Sequence, residues 1–99
     1  MAGVSKAYVI ADIEVTDPDT YGRYRDMAGP TVVAHGGRYL VRGGATDVLE
    51  GDWSPHRVVV LEFDDIAAAR RWYESPEYAA AAKVRQSCAN SSLIMVEGA

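Results

Sequence analysis

The chain of 99 residues has the length of one domain, residues 1–99, and its apolar fraction of 48% is ordinary for a globular protein. Lys and Arg number 10 against 14 Asp and Glu, a net charge of −4 without a basic cluster, which argues against nucleic acid and anionic membranes as partners. No apolar run approaches the about 20 residues that span a bilayer, and the single cysteine, Cys88, excludes an internal disulfide, so we expect a cytoplasmic protein.

The first third of the chain predicts a strand followed by a helix. Residues 6–15 are rich in β-branched and aromatic side chains, which is typical of a strand. A helix then begins, because Thr16 or Asp17 can cap its first turn and Pro18 suits the first helical position. We expect it to end at the glycine pair 36–37, since glycine tolerates the left-handed conformation of a helix C-cap.

The remaining elements complete a βαββαβ order. Residues 38–42 predict a second strand and residues 56–63 a third, separated by a turn-rich segment with a short extended piece at residues 48–50. Helix follows in two pieces, because Ser75-Pro76 restarts it, and residues 92–98 predict the last strand. This order indicates an α+β fold of the ferredoxin-like type, with a four-stranded antiparallel sheet.

Two strands are apolar on both faces, at residues 58–61 and 93–96. Helices cover only one face of such a sheet, and a second copy of the sheet is the economical cover for the other. We therefore expect a homodimer in which the sheet face carrying Val58 or Val59 is buried against the partner. The alternative is a monomer with chance runs of Val and Leu.

A glycine pair stands on each side of the second strand, at residues 36–37 and 43–44. We expect the pair at residues 43–44 to bend that strand, because a sheet that wraps a partner must curve and glycine permits the unusual backbone angles. Neither pair has the spacing or the strand-to-helix position of a phosphate-binding loop.

Five phrases of the sequence together resemble the family described as domain of unknown function 1330: AYVIADIEVTDPDTYGRY, HGGRYLVRGG, LEGDWSPHRVVVLEF, RRWYESPEYAAA and VEG. The resemblance covers nearly the whole chain and implies a dimeric α/β barrel, in which two ferredoxin-like units join by their sheets. That superfamily includes cofactor-independent monooxygenases, haem-binding enzymes and ligand-sensing modules. The resemblance therefore implies an architecture and no particular reaction, and it brings no catalytic residues with it.

Arg42 is the first candidate for catalysis. It ends the second strand beside flexible glycines, where its guanidinium can meet a carboxylate or an enolate. The alternative is a salt bridge to Glu50 or Glu62 that holds the hairpin together.

His35 and Asp12 are the candidates for proton transfer. His35 ends the first helix, where it acts either as an acid or base at a pocket mouth or as a favourable charge at the helix C-terminus. Asp12 interrupts an apolar strand face, where it serves either as a base in a lumen or as an ion-pair partner of Arg42 or Arg57. We expect Arg42 to share a cavity with at least one acidic group or with His35.

Three residues are candidates for substrate binding. Tyr39 can donate a hydrogen bond from its hydroxyl into the lumen of the predicted barrel, and so can Tyr8. Glu50 lies beside Arg42 in the predicted hairpin, and Trp53 acts either as a lid or, preferably, as an anchor at the dimer interface. Strict alternation along the second strand places Tyr39 and Arg42 on opposite faces.

These residues favour a cofactor-free enzyme acting on a small carbonyl or phenolic metabolite by acid–base chemistry. The alternative is a non-catalytic module that binds such a molecule in the same cavity. We expect no cofactor and no metal, since the two histidines, His35 and His56, form no metal-binding motif.

Overall fold

The architecture is described here for residues 5–99, from a computed structural model. The chain forms, in order, β1 (Ala7–Val15), α1 (Pro18–Ala34), β2 (Arg38–Arg42), β3 (Val58–Phe63), α2 (Ile66–Glu74), α3 (Pro76–Cys88) and β4 (Ala89–Glu97). No helix within residues 5–99 is long and apolar enough to cross a membrane.

The four strands make one antiparallel sheet in the order β2-β3-β1-β4. Alternate residues of β1, from Ala7 to Ile13, are buried, and they belong to the same hydrophobic clusters as residues of the helices. The predicted α+β ferredoxin-like fold is therefore confirmed.

Each helix begins where a capping side chain accepts a backbone N–H. Asp17 accepts from Thr20 at 3.3 Å, Asp65 from Ala68 at 2.7 Å and Ser75 from Tyr78 at 3.2 Å. Loss of such a cap typically costs about 1 kcal/mol. The predicted division of the second helical region at Ser75-Pro76 is confirmed, because Ser75 ends α2 and caps α3.

Two predicted strand starts were wrong. The third strand begins at Val58 rather than at residue 56, and the last strand begins at Ala89 rather than at residue 92. The extended piece predicted at residues 48–50 is not a strand, since residues 43–57 contain no regular element. Their polar, glycine-rich sequence offers no continuous ladder of backbone partners.

An aromatic stack fills the core between sheet and helices. Trp72 and Tyr78 are 1% and 0% exposed, and their ring centroids lie 4.0 Å apart. The indole N–H of Trp72 donates to the Thr31 hydroxyl at 3.0 Å, so the polar atom of this buried ring is satisfied. Phe63 of β3 packs against the same indole. Trp72, Tyr78 and Phe63 thus belong to one buried cluster.

The opposite sheet face is open in the chain as described. It carries Ile10, Val58, Val60, Ile94 and Val96, which lie beside one another in the paired strands. Of these, Ile94 is 61% exposed. Val58 therefore lies on the open face, whereas Val59 packs against the core on the helix side.

The first glycine pair ends α1 and lets β3 approach. Gly36 has a φ of +76°, and the N–H of Gly37 donates to the carbonyl of Val32 at 2.9 Å. A Cβ at Gly37 would overlap the ring of Phe63. The predicted helix end is confirmed, and the second glycine is needed for packing.

Candidate functional site

A cavity of about 30 Å³ lies on the helix side of the sheet. Its aliphatic lining comes from the strands: Val9, Ala11, Ile13, Val59, Leu61 and Leu93. This volume has room for water, whereas small-molecule sites usually enclose about 300–1,000 Å³. A metabolite therefore enters only when side chains at the cavity mouth move outward.

A pair of tyrosine hydroxyls faces this cavity from the helices. The hydroxyl oxygens of Tyr24 on α1 and Tyr78 on α3 are 2.8 Å apart, so one donates to the other and one proton is left for a third group. Burial raises the pKa of Tyr24, and the neighbouring Tyr78 raises it further. Tyr24 therefore stays neutral at physiological pH.

Arg85 is a buried cation near this hydroxyl pair. It is 3% exposed, its Nη1 donates to the Ser91 hydroxyl at 2.6 Å, and its guanidinium carbon lies 5.8 Å from the centre of the Tyr24 ring. Within residues 5–99 its Nε has no hydrogen-bond partner and no carboxylate forms a salt bridge with it. Its charge opposes the rise in the pKa of Tyr24.

Three arginines from three different elements also line the cavity: Arg25 of α1, Arg42 of β2 and Arg57, which precedes β3. The guanidinium of Arg42 lies 4.1 Å above the centre of the Tyr39 ring, which is a cation–π arrangement. Arg57 lies 5.5 Å from the centre of the Tyr21 ring. These contacts hold planar cations against the aromatic wall.

The second glycine pair makes room for one of these arginines. Gly43 has a φ of +75°, and a Cβ there would overlap the guanidinium of Arg57. The backbone of Gly43 also continues the pairing with β3, since its N–H donates to the carbonyl of Val58 at 2.8 Å. Gly44 has an ordinary backbone and open space around it, so nothing in the structure requires glycine there.

A bulge in β2 overturns the predicted face of Arg42. The register shifts between Tyr39 and Val41, so Tyr39 is opposite Leu61 while Val41 is opposite Val60. The extra residue moves Arg42 to the same side of the sheet as Tyr39, and both line the cavity. The chain also bends at Gly43, as expected of the glycine pair, so the bulge is a second irregularity within the strand.

His35 and Asp12 lie away from this cavity. The Nδ1 of His35 is 2.9 Å from the carbonyl of Thr31 at the end of α1. Asp12 lies on the open face, where it accepts the indole N–H of Trp53 at 3.1 Å and the backbone N–H of His56 at 2.8 Å. These hydrogen bonds, that from Trp53 first, hold the pKa of Asp12 below its usual value.

The ion pairs predicted for Arg42 and those predicted for Asp12 are not present in the described chain. Glu62 is paired with Arg38 and accepts the Tyr8 hydroxyl at 2.9 Å, so Tyr8 is engaged on the open face rather than in the cavity. The carboxylate of Asp12 lies 3.6 Å from the Nδ1 of His56 and forms no ion pair with an arginine within residues 5–99. The structure therefore does not bring Arg42 together with His35 or with any of the expected carboxylates.

Glu50 and Trp53 lie in the 43–57 loop. They line a shallow groove of about 510 Å³, separate from the cavity, and Trp53 is 63% exposed. Tyr39 and Arg42 are thus the two predicted site residues that line the cavity. Within residues 5–99 no group of three or more His, Cys, Asp or Glu side chains is placed to hold a metal.

Sequence reasoning missed Tyr24, Arg25 and Arg85 as site residues. The sequence predicts only that Tyr24 and Tyr78 lie on faces of helices. Their hydroxyls come together in the fold although the two residues are 54 positions apart in sequence. The burial of Arg85 is not predictable from its neighbours in sequence, because the pattern of a helix does not distinguish a buried arginine from an exposed one. Arg57 was predicted only as an ion-pair partner for Asp12.

The comparisons with known proteins agree on the fold. The sequence profile of the family described as domain of unknown function (DUF1330) matches residues 6–99. No curated protein matches the chain.

Solved structures of similar fold include a protein of unknown function from Rhodopseudomonas palustris, RPA0582, 23% identical, with a TM-score of 0.76 over 96% of this chain and 83% of that one. SnoaB of Streptomyces nogalater, a cofactor-independent oxygenase, is 14% identical, with a TM-score of 0.62 over 94% of this chain and 92% of its own. A dimeric ferredoxin-like protein of unknown function from Thermobifida fusca is 14% identical, with a TM-score of 0.64 over 95% and 92%. At these identities the likeness shows the fold alone.

Proposed function

This chain belongs to the family described as domain of unknown function 1330, and from that membership and the cavity geometry we propose that it is a cofactor-independent enzyme acting on a small carbonyl or phenolic metabolite. The observation that carries the proposal is the Tyr24–Tyr78 hydroxyl pair at an apolar cavity. The oxygenase activity stated for SnoaB supports it only as an analogy from fold.

The chemistry follows from what the cavity offers to an oxygen atom. A carbonyl compound that loses an α-proton to a water molecule becomes an enolate, and a phenol that loses its proton to water becomes a phenolate. Either anion carries negative charge on oxygen. The free proton of the tyrosine pair donates a hydrogen bond to that oxygen, and the nearby positive charge of Arg85 favours the anion. In a largely apolar site of low dielectric constant, such preorganised donors stabilise a developing oxyanion by about 3 kcal/mol.

A non-catalytic binding module is the second candidate, and a specific observation favours it. The residues that line the cavity include no His, Asp or Glu within residues 5–99, so the described chain supplies no ordinary general base there. The same cavity would then hold the anionic form of a metabolite without converting it.

Binding of 4-nitrophenol tests both candidates, because its phenolate absorbs visible light and reports its own ionisation. We expect the pKa of the bound phenol to fall by about one unit, which corresponds to about 1.4 kcal/mol. Tyr78→Phe should abolish the shift, and Tyr73→Phe, an exposed tyrosine of α2 outside the cavity, should retain it. Binding without any change in pKa, or a shift that survives Tyr78→Phe, would contradict the proposal.

Turnover separates the enzyme from the binder. The purified protein, with no metal or organic cofactor added, is incubated with phenols and 1,3-diketones, and substrate loss and dissolved oxygen are followed. Conversion that depends on Tyr78 supports the enzyme. Binding with the expected pKa shift but without conversion supports the binding module.

We also propose that the protein is a homodimer joined through the open sheet faces. The apolar residues there have no cover within residues 5–99, and Ile94 and Val96 are 61% and 43% exposed. Contiguous apolar patches of this kind usually mark an interface. The ferredoxin-like protein from Thermobifida fusca, which shares the fold, is dimeric and supports a dimer by analogy.

A further inference from the structure

We infer that the metabolite carries an anionic group, such as a carboxylate, which is bound at the cavity mouth by Arg25, Arg42 and Arg57. This inference rests on the proposed function, since it assigns the substrate class of the same cavity. The three guanidinium groups come from α1, β2 and the residue before β3, and all three line one cavity.

The positive charge of this arginine cluster is not neutralised by the described chain. Every ion pair within residues 5–99 uses other cations, namely Lys6, Arg38, His56 and Arg70. Glu62, a carboxylate of the neighbouring strand, is occupied by Arg38 and Tyr8 on the opposite face of the sheet. The net charge of the protein is −4, so three arginines without ion-pair partners create a local region of positive electrostatic potential.

The cluster is held in place despite the repulsion between its members. The guanidinium of Arg42 stacks on Tyr39, and that of Arg57 occupies the space that Gly43 leaves free. Burial raises the pKa of the Tyr39 hydroxyl, and the charges of Arg42 and Arg25 oppose that rise, as expected of two cations near one ring. A bound anion would relieve the repulsion between the arginines.

Arg57 has an unused donor. Its Nε is buried and has no hydrogen-bond partner within residues 5–99, and its Nη2 reaches the carbonyl of Arg42 only at 3.5 Å. A guanidinium fork binds a carboxylate through two parallel hydrogen bonds, which an ammonium group cannot do. A ligand carboxylate would meet the unsatisfied hydrogen-bonding capacity of Arg57.

The small volume of the cavity limits what else the ligand carries. At about 30 Å³, the interior admits a single ring or a short chain only after Arg25 and Arg42, whose side chains are exposed, move outward. The structure thus indicates a small acid in which a phenol or carbonyl oxygen enters toward the tyrosine pair and a carboxylate stays with the arginines.

Salicylate and salicylamide are the matched probes, since they have nearly the same shape and only salicylate carries the carboxylate charge. Calorimetric titration of the purified protein should show salicylate binding at least tenfold more tightly than salicylamide, with the preference falling as salt rises. Arg42→Met and Arg57→Met should each remove most of the preference. Arg42→Lys should remove part of it, because it keeps the charge and loses the fork.

Arg23→Met is the matched control, an exposed arginine of α1 that does not line the cavity, and it should bind salicylate as the wild type does. Thermal melts of each variant identify any that fail to fold, and Arg42, being exposed, is the variant that decides if Arg57→Met is unstable. Equal affinity for the two probes, or an undiminished preference in Arg42→Met, would overturn this inference and leave the proposed cavity function standing. Binding of neither probe would overturn both.

Discussion

Two adjacent glycines, Gly43 and Gly44, have different roles that only the structure separates. Gly43 combines a φ of +75° with a position against the Arg57 guanidinium, whereas Gly44 has neither constraint. We expect Gly43→Ala to lower the free energy of unfolding by about 1–2 kcal/mol, the usual cost of a side chain in the left-handed region, and to displace Arg57.

Gly44→Ala is the control for this prediction. It should be neutral or slightly stabilising, by up to about 1 kcal/mol, because an alanine with an ordinary backbone conformation reduces the entropy of the unfolded chain. Urea unfolding monitored by circular dichroism measures both variants. Equal effects of the two substitutions would show that the positive φ of Gly43 and its contact with Arg57 do not matter.

At the residue scale, the strand and the site role of Arg42 were predictable from the sequence, whereas its face of the sheet was not. Its membership of a strand and its role as a site candidate followed from the pattern RYLVR between glycines. Its face did not, because one extra residue in the bulge between Tyr39 and Val41 reverses the alternation. A bulge depends on pairing with β3, which is about 20 residues away in sequence, so no local pattern reveals it.

At the element scale, the 43–57 loop is fastened to β1 by Asp12. This carboxylate accepts the Trp53 indole N–H and the His56 backbone N–H, and these bonds lower its pKa. A carboxyl whose folded-state pKa is depressed stabilises the fold above its unfolded pKa, and that stabilisation is lost as the pH falls through the folded value. We therefore expect the loop to loosen in acid, with a midpoint below the ordinary Asp value of 3.8.

Trp53 fluorescence reports this transition, and a Trp72→Phe background removes the other indole. Asp12→Asn should loosen the loop at neutral pH and abolish the acid transition. Asp47→Asn, an exposed aspartate of the same loop, should leave the transition unchanged. A transition that persists in Asp12→Asn would assign it to another group, of which His56 and Glu14 are the nearest.

Asp12 also separates what the sequence predicts about an element from what it does not. A charge on an apolar strand face needs a partner, and that expectation was correct. The partner was wrong, since Trp53 and His56 come from a segment without regular structure. Strands and helices have periodic patterns that predict their existence, whereas the path of a 15-residue loop depends on contacts that form only after the sheet is assembled.

At the scale of the whole molecule, the open sheet face is the basis of the proposed homodimer. One face is covered by α1, α2 and α3, while Ile94 and Val96 on the other remain exposed in the described chain. The apolar runs in β3 and β4 predicted this second face from the sequence alone. The cavity was not predictable in the same way, because its lining joins four strands and three helices through side chains distant in sequence.

The proposed homodimer has a direct test in solution. Light scattering at micromolar concentration should give a mass of two 10.7 kDa chains. Ile94→Glu places a charge on the apolar face, on the edge strand β4, and should shift the mass to that of one chain, since burying an unpaired carboxylate against a partner costs several kcal/mol. Because Ile94 is already 61% exposed in the single chain, the variant should retain its far-UV circular dichroism.

Val33→Glu, which introduces the same charge at a 72% exposed position on α1, should remain dimeric. A wild-type mass of one chain, or a dimer that tolerates Ile94→Glu, would show that the sheet face is not the interface.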